Sequence, residues 1–308
     1  MPSPIIVGVA LRDDDGAPLA LAEALARLTD APLALVTSYP YGGSPLFLTA
    51  DTVAVMREQA DGSLARAAEQ VGDDLELSTH VRPETSAGLA LHEAAIELDA
   101  ATIVVGSSHR GPIGRVLAGN VATSLLHGTP CPVAIAPRGY EKRPEGPWRI
   151  GVGFLDTPEG RGALSAADGM ARLTRGSVEV ISVEEPIEWT STPVAPGWSV
   201  PHAYEAGREA RATHRAQEAR KLVSTDLVSS VETPYGDPAA IMAGASADLD
   251  LLICGSRGYG LLRSVILGSV SRTLANSAHC PLLIIPRPPA HDATKLWHNP
   301  AVEGALSP

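Results

Sequence analysis

The chain has 308 residues, of which 44% are hydrophobic and 19% charged, and its formal net charge is −11. That balance belongs to a globular chain long enough for two ordinary cores, not to a disordered one. The excess of acid argues against a nucleic-acid binder, which would carry a basic face, and no apolar run approaches the ~20 residues of a membrane helix.

Taken in order, Ile5–Ala10 reads as a buried strand and Pro18–Leu28 as an amphipathic helix. Leu33–Thr37 is a second strand. A loop rich in Gly, Pro and Ser, Pro40–Pro45, leads to a long helix from Ala50 to Val71. Leu75–Val81 alternates like a strand, Ala87–Leu98 is helical and Thr102–Val105 is an apolar strand. A glycine-bearing loop follows, then a helix Asn120–His127 and a strand Val133–Ala136. The segment Arg138–Pro147 reads as a linker. The same order then returns: Arg149–Phe154, Gly160–Leu173, Val178–Val183, Tyr204–Val223, Val228–Glu232, Pro238–Ala247, Leu251–Cys254, a loop, Ser269–Asn276 and Leu282–Ile285. Glu184–Pro201 has no period and is expected to form an extended flap. Residues 289–308 are expected to be a mobile tail. Strands alternating with helices imply an α/β fold with a parallel sheet covered by helices on both faces.

The return is a duplication. An offset of 149 carries Gly255 to Gly106, Gly268 to Gly119, Cys280 to Cys131 and Pro281 to Pro132. An offset of 145 carries Ala26-Arg27-Leu28-Thr29 to Ala171-Arg172-Leu173-Thr174. An offset of 143 aligns Val7-Gly8-Val9 with Ile150-Gly151-Val152 and Asp13 with Asp156. Two globular domains are expected, residues 1–140 and 147–288.

The chemistry concentrates after the fourth strand of each repeat. In the second, Gly255-Ser256-Arg257-Gly258 is followed after nine residues by Gly268-Ser269. A strand, a glycine loop and the start of a helix place unpaired N–H groups where a phosphate can meet them, with no basic side chain required. The competing reading is a tight connection whose glycines serve packing alone.

Gly-x2-Gly-x9-Gly-Ser after a hydrophobic strand, closed by Cys280-Pro281 and a last apolar strand, resembles the universal stress protein family, and both repeats share the resemblance. The resemblance implies a tandem member with two five-stranded parallel sheets of order 3-2-1-4-5, a ligand at the carboxyl ends of the strands, and for many members ATP. Carried over residue by residue, it assigns an adenine nucleotide to Gly255, Arg257, Gly258, Gly268, Ser269, Val270 and Ser271, with Asp156 beside the ribose or adenine. The first repeat departs from the pattern: His109 stands at the second glycine and Asn120 at the serine. Asp13, Gly106, His109, Gly119 and Asn120 therefore make a weaker site, with Asn120 expected to cap its helix.

The other signals are plainer. Asp13-Asp14-Asp15 reads as a solvated turn, and the histidines show no metal-ligand spacing. Cys131 and Cys280, each before a proline, read as buried packing residues. Three widely spaced cysteines and no leader-like start suggest the cytoplasm. No nucleophile-base-acid set is evident, so an enzyme is not expected. The expected function is a nucleotide-dependent regulatory switch holding ATP, with or without Mg2+, in the second domain. Pairing of the domains within the chain, a homodimer and an unidentified protein partner complete the expectation; neither nucleic acid nor membrane is a partner. The alternative is a nucleotide-free dimerisation scaffold.

Overall fold

A computed structural model describes residues 2–11, 16–40, 49–108, 110–141, 146–185, 202–224, 226–256 and 268–286. Asp13, His109, Arg257 and Gly258, the flap beyond Glu185 and the tail lie outside the described residues.

Ten strands are described: β1 (Ile5–Gly8), β2 (Leu33–Tyr39), β3 (Leu77–Pro83), β4 (Thr102–Gly106), β5 (Val133–Ala136), β6 (Arg149–Gly153), β7 (Ser177–Ile181), β8 (Val228–Glu232), β9 (Leu251–Gly255) and β10 (Leu282–Ile285). The helices are α1 (Ala17–Thr29), α2 (Ala50–Ala68), α3 (Ala87–Glu97), α4 (Asn120–Leu126), α5 (Pro158–Thr174), α6 (His202–Leu222), α7 (Pro238–Ala245) and α8 (Ser269–Leu274). Local signals set the ends. α1 and α5 each carry a proline at the first or second helical position, Pro18 and Pro158, where a missing N–H costs nothing. Both stop at a residue forced left-handed, Asp30 (φ 51°) and Arg175 (φ 52°). Thr157 and Asp237 cap α5 and α7 by accepting from Gly160 N and Ala240 N.

The strands form one sheet in the order β3-β2-β1-β4-β5-β10-β9-β6-β7-β8. Each half keeps the 3-2-1-4-5 order. The two halves are not separate sheets: β5 and β10 pair antiparallel, Leu283 opposite Ala134, and every other pairing is parallel. Central strands are buried on both sides, as helices on both faces require; Ile5, Ile6 and Val7 are at most 1% exposed. The outermost strands β3 and β8 contain no buried position and several exposed ones, whereas among the inner strands β6 is exposed at its first residue, Arg149. Each face has a single apolar core that runs across the junction. Leu25, Val104, Leu164 and Ile253 share one, and Ile103, Leu125, Val116 and Leu274 share the other.

Strand register corrects one alignment. Val7 lies beside Val104, two residues before Gly106, and Val152 lies beside Ile253, two residues before Gly255. The offset in the first strand is therefore 145, as it is in α1 and α5, and not 143. Gly8 corresponds to Gly153, and Asp156 corresponds to Leu11 instead of Asp13. Side chains alternate with period two, so a slip of two residues leaves every one on its own face and is invisible to pattern matching.

Candidate functional site: two clefts at the carboxyl edge

In an open parallel sheet, the gap outside the strand ends opens where neighbouring connections run to opposite faces. Here that happens twice, between β1 and β4 and between β6 and β9. The two gaps differ in size. The first-half cleft has a volume of about 640 Å³ and the second-half cleft about 130 Å³.

The first cleft has a glycine floor. Gly8 and Gly106 end β1 and β4, and Gly119 precedes α4; all three line it. A Cβ at Gly8 would sit 3.0 Å from Leu91 Cδ1 and 3.3 Å from Val105 Cγ1, so a larger residue at this strand end would press these side chains aside by a few tenths of an ångström. One wall is polar. Ser107 donates to Ala136 O at 2.8 Å and accepts from Leu117 N at 3.2 Å, which pins the returning segment 116–118 against the end of β4. Ser108 N donates to Leu117 O at 2.7 Å and completes the tie. The opposite wall comes from α2. Ser63, buried, donates to Leu11 O at 3.0 Å and accepts from Arg66 Nη2 at 3.2 Å. Arg66, Gln70 and Arg110 reach the rim, and no carboxylate appears among the described lining residues. In a chain of net charge −11, the described lining of this cleft carries two arginines and no carboxylate, which gives that part of its rim a positive charge.

Gly106, Gly119 and Asn120 thus come together as the sequence implies. Asn120, however, is the first helical residue and not the cap. Gly119 holds the cap position with extended backbone, φ −77° and ψ 179°, and α4 has no side-chain cap. The contributions of Ser63, Arg66, Gln70, Thr37 and Ser108 escaped the sequence reading.

The second cleft is narrowed by its own side chains. Phe154, Leu155, Met242 and Cys254 line it alongside Gly255, Gly268, Ser269, Val270 and Ser271. The first turn of α5 closes on β9: a Cβ at Gly255 would meet Glu159 Cβ at 2.8 Å and Glu159 C at 3.1 Å. Gly106 faces only the Pro18 ring, at 3.4 Å. The Ser271 hydroxyl donates to Gly255 O at 2.7 Å, so its proton is committed inward. Asp156 is not among the described lining residues. Its carboxylate accepts from Arg161 Nε at 2.7 Å on the surface. Burial pushes the Cys254 thiol up to about 12, which keeps it protonated and unreactive at neutral pH. Among the described residues no cluster of His, Cys, Asp or Glu could hold a metal ion, and no helix is long and apolar enough to cross a membrane.

With this geometry in view, comparison with known proteins gives consistent results. The profile of the universal stress protein family matches residues 1–137 and again residues 148–286. A universal stress protein of Mycobacterium tuberculosis is 30% identical over 238 residues, covering 74% of this chain and 80% of that protein. One from Mycolicibacterium smegmatis is 27% identical over 295 residues, 91% of this chain and 96% of its own length. Among solved structures, a universal stress protein of Pseudomonas aeruginosa superposes with a TM-score of 0.64 at 16% identity, covering 96% of both chains, and so shares the fold.

Proposed function

The chain belongs to the universal stress protein family, and from that premise we propose that it is a regulatory protein that binds an adenine nucleotide, ATP with or without Mg2+, in the first-half cleft. The observation that carries this reading is the cleft of about 640 Å³ at the β1–β4 gap, lined by Arg66 and Arg110. Its volume falls within the ~300–1,000 Å³ of small-molecule sites. Glycine at 8, 106 and 119 lets a ligand approach the backbone, and the arginines supply charge for phosphate. The nucleoside part of the reading follows from the family to which both halves belong, since the first-half loop itself departs from the glycine motif at His109 and Asn120. Binding would act by changing the surface at the carboxyl edge; no residue on either cleft forms a nucleophile–base pair among the described residues.

A second reading keeps the sequence expectation of a site in the second half. Gly268, Ser269, Val270 and Ser271 do line one cleft there. At about 130 Å³ that cleft is smaller than the ~300–1,000 Å³ of small-molecule sites, and Phe154 and Met242 are among the side chains that line it.

Isothermal titration with ATP and Mg2+ on the purified chain tests both, after mass spectrometry for co-purified nucleotide. One equivalent that disappears in Gly119→Asp and persists in Gly268→Asp supports the first-half site. The opposite pattern moves the site to the second half. Two equivalents mean both clefts bind. An absence of both binding and carried nucleotide leaves the scaffold reading.

A further inference from the structure

The wall of the first-half cleft is not held by the first half alone. Segment 115–118 leaves the loop and crosses to the end of α8 in the other half. Val116 N donates to Ala278 O at 2.8 Å and Ala118 N donates to Ala275 O at 2.7 Å. The Val116 side chain is fully buried in the core that also holds Leu274, Ala275 and Ala278. Arg115 Nε donates to His279 Nε2 at 2.9 Å. Because Nε2 accepts there, the imidazole proton sits on Nδ1, which donates to Ala243 O at 3.1 Å. His279 N in turn donates to Ser246 Oγ at 2.9 Å, and Ser246 Oγ to Ala243 O at 2.6 Å. The other edge of the same segment is the one tied to Ser107 and Ser108. Leu117, Ala118 and Gly119 face the cleft.

We propose that the second half's Ala275–His279 segment is a clamp that positions the ligand wall of the first-half cleft, with His279 and Arg115 as its positioning residues. The proposal rests on the nucleotide reading of that cleft and deepens it. Ligand binding that orders segment 115–119 must order Ala275–His279 with it, and loosening the clamp must weaken binding by the same coupling free energy. The helix preceding the clamp, α8, carries at its other end Gly268–Ser271, which line the second cleft. One short helix thus lies between the two clefts, and whatever shifts it is felt at both.

The test measures ATP affinity and amide hydrogen exchange on the full chain, for the wild type and for Arg115→Ala, His279→Ala and His279→Gln. The clamp predicts about tenfold weaker binding in both alanine variants, as expected for losing a positioning hydrogen bond. Without ligand, exchange should accelerate at the Val116 and Ala118 amides and stay unchanged in β5 and β10. His279→Gln keeps one acceptor and one donor on its amide and should restore most of the affinity. In the wild type, ATP should slow exchange in Ala275–His279, which a purely local role for the loop would not do. Wild-type binding that survives both alanine substitutions unchanged, with no ligand effect at Ala275–His279, overturns the clamp and leaves the nucleotide reading standing. No saturable binding by the wild type overturns both.

Discussion

Substituting Gly119 by aspartate separates the effect of charge in the cleft from any effect on the fold. Gly119 has φ −77° and ψ 179°, ordinary extended backbone that any residue adopts. A Cβ there would have as nearest neighbours Ser108 atoms at 3.8–3.9 Å, an ordinary contact distance. The position is the N-cap of α4, which has no side-chain cap. Aspartate is among the best residues at such a position, worth about 0.5–2 kcal/mol over alanine and a few tenths over glycine. The variant should therefore fold at least as well as the wild type.

Its effect on a phosphate is the reverse. A carboxylate on the cleft wall about 6 Å from one phosphate charge repels it by about 0.7 kcal/mol at a water-like dielectric and about 2.8 kcal/mol at an effective value near 20. The corresponding loss of affinity is about 3-fold to 100-fold for each phosphate charge, and smaller for charges further out. Titration calorimetry at low and moderate salt reads it directly, since screening must shrink the difference as salt rises. Thermal unfolding without ligand serves as the control and should show an equal or higher midpoint. An unchanged dissociation constant in Gly119→Asp, with a folded protein, would refute an anion in this cleft.

Other consequences can be checked alongside. The double variant Arg66→Ala, Arg110→Ala should weaken ATP binding and flatten its salt dependence. Both side chains lie at the rim, so stability should stay within about 0.5 kcal/mol of the wild type. Gly255→Ala should cost about 1–3 kcal/mol in denaturant unfolding, because its Cβ meets the first turn of α5 at 2.8–3.1 Å, whereas Gly106→Ala, 3.4 Å from the Pro18 ring, should cost less. Equal losses would mean that the two strand ends are packed alike. Cys254 and Cys280 titrate near 12 because burial disfavours the thiolate. Unfolding returns them to ordinary values near 8.5, so the unfolded state releases these protons first and stability should fall as pH rises from about 9 towards 12. Replacing both by alanine should reduce that alkaline slope; an identical slope would remove the thiols as its cause.

Much of the fold could be read from the chain because its signals are local. The apolar runs of β4, β5, β9 and β10, the prolines in the first turns of α1 and α5 and the glycine loops all lie within a few residues of what they determine. Three features could not be read that way. The join of β5 to β10 depends on two apolar strands, both buried on both faces, that look equally able to pair with anything. The register of β1 against β6 is degenerate under a slip of two. The α2 wall of the first cleft is brought to the loop by the path of the chain, and Ser63 and Arg66 carry no motif to announce it.

The same reasoning explains why motif and cavity diverge between the halves. A glycine pattern reports what the backbone permits at the loop, and the second half satisfies it better, with Ser269 where the first half has Asn120. Room for a ligand is decided by side chains that arrive from elsewhere. In the first half, the residue after Gly8 is Val9 and α3 offers Leu91; in the second, the equivalent positions are Phe154 and Met242, both of which line the smaller cleft. Substituting Phe154 by valine and Met242 by alanine should therefore enlarge the second cleft, at a cost of about 2–5 kcal/mol for the buried methionine alone. If the second loop is competent for phosphate and only obstructed, this variant gains a second equivalent of ATP in the titration. If it remains at one equivalent while still folded, the obstruction is not what distinguishes the halves, and the loop of the second half serves packing.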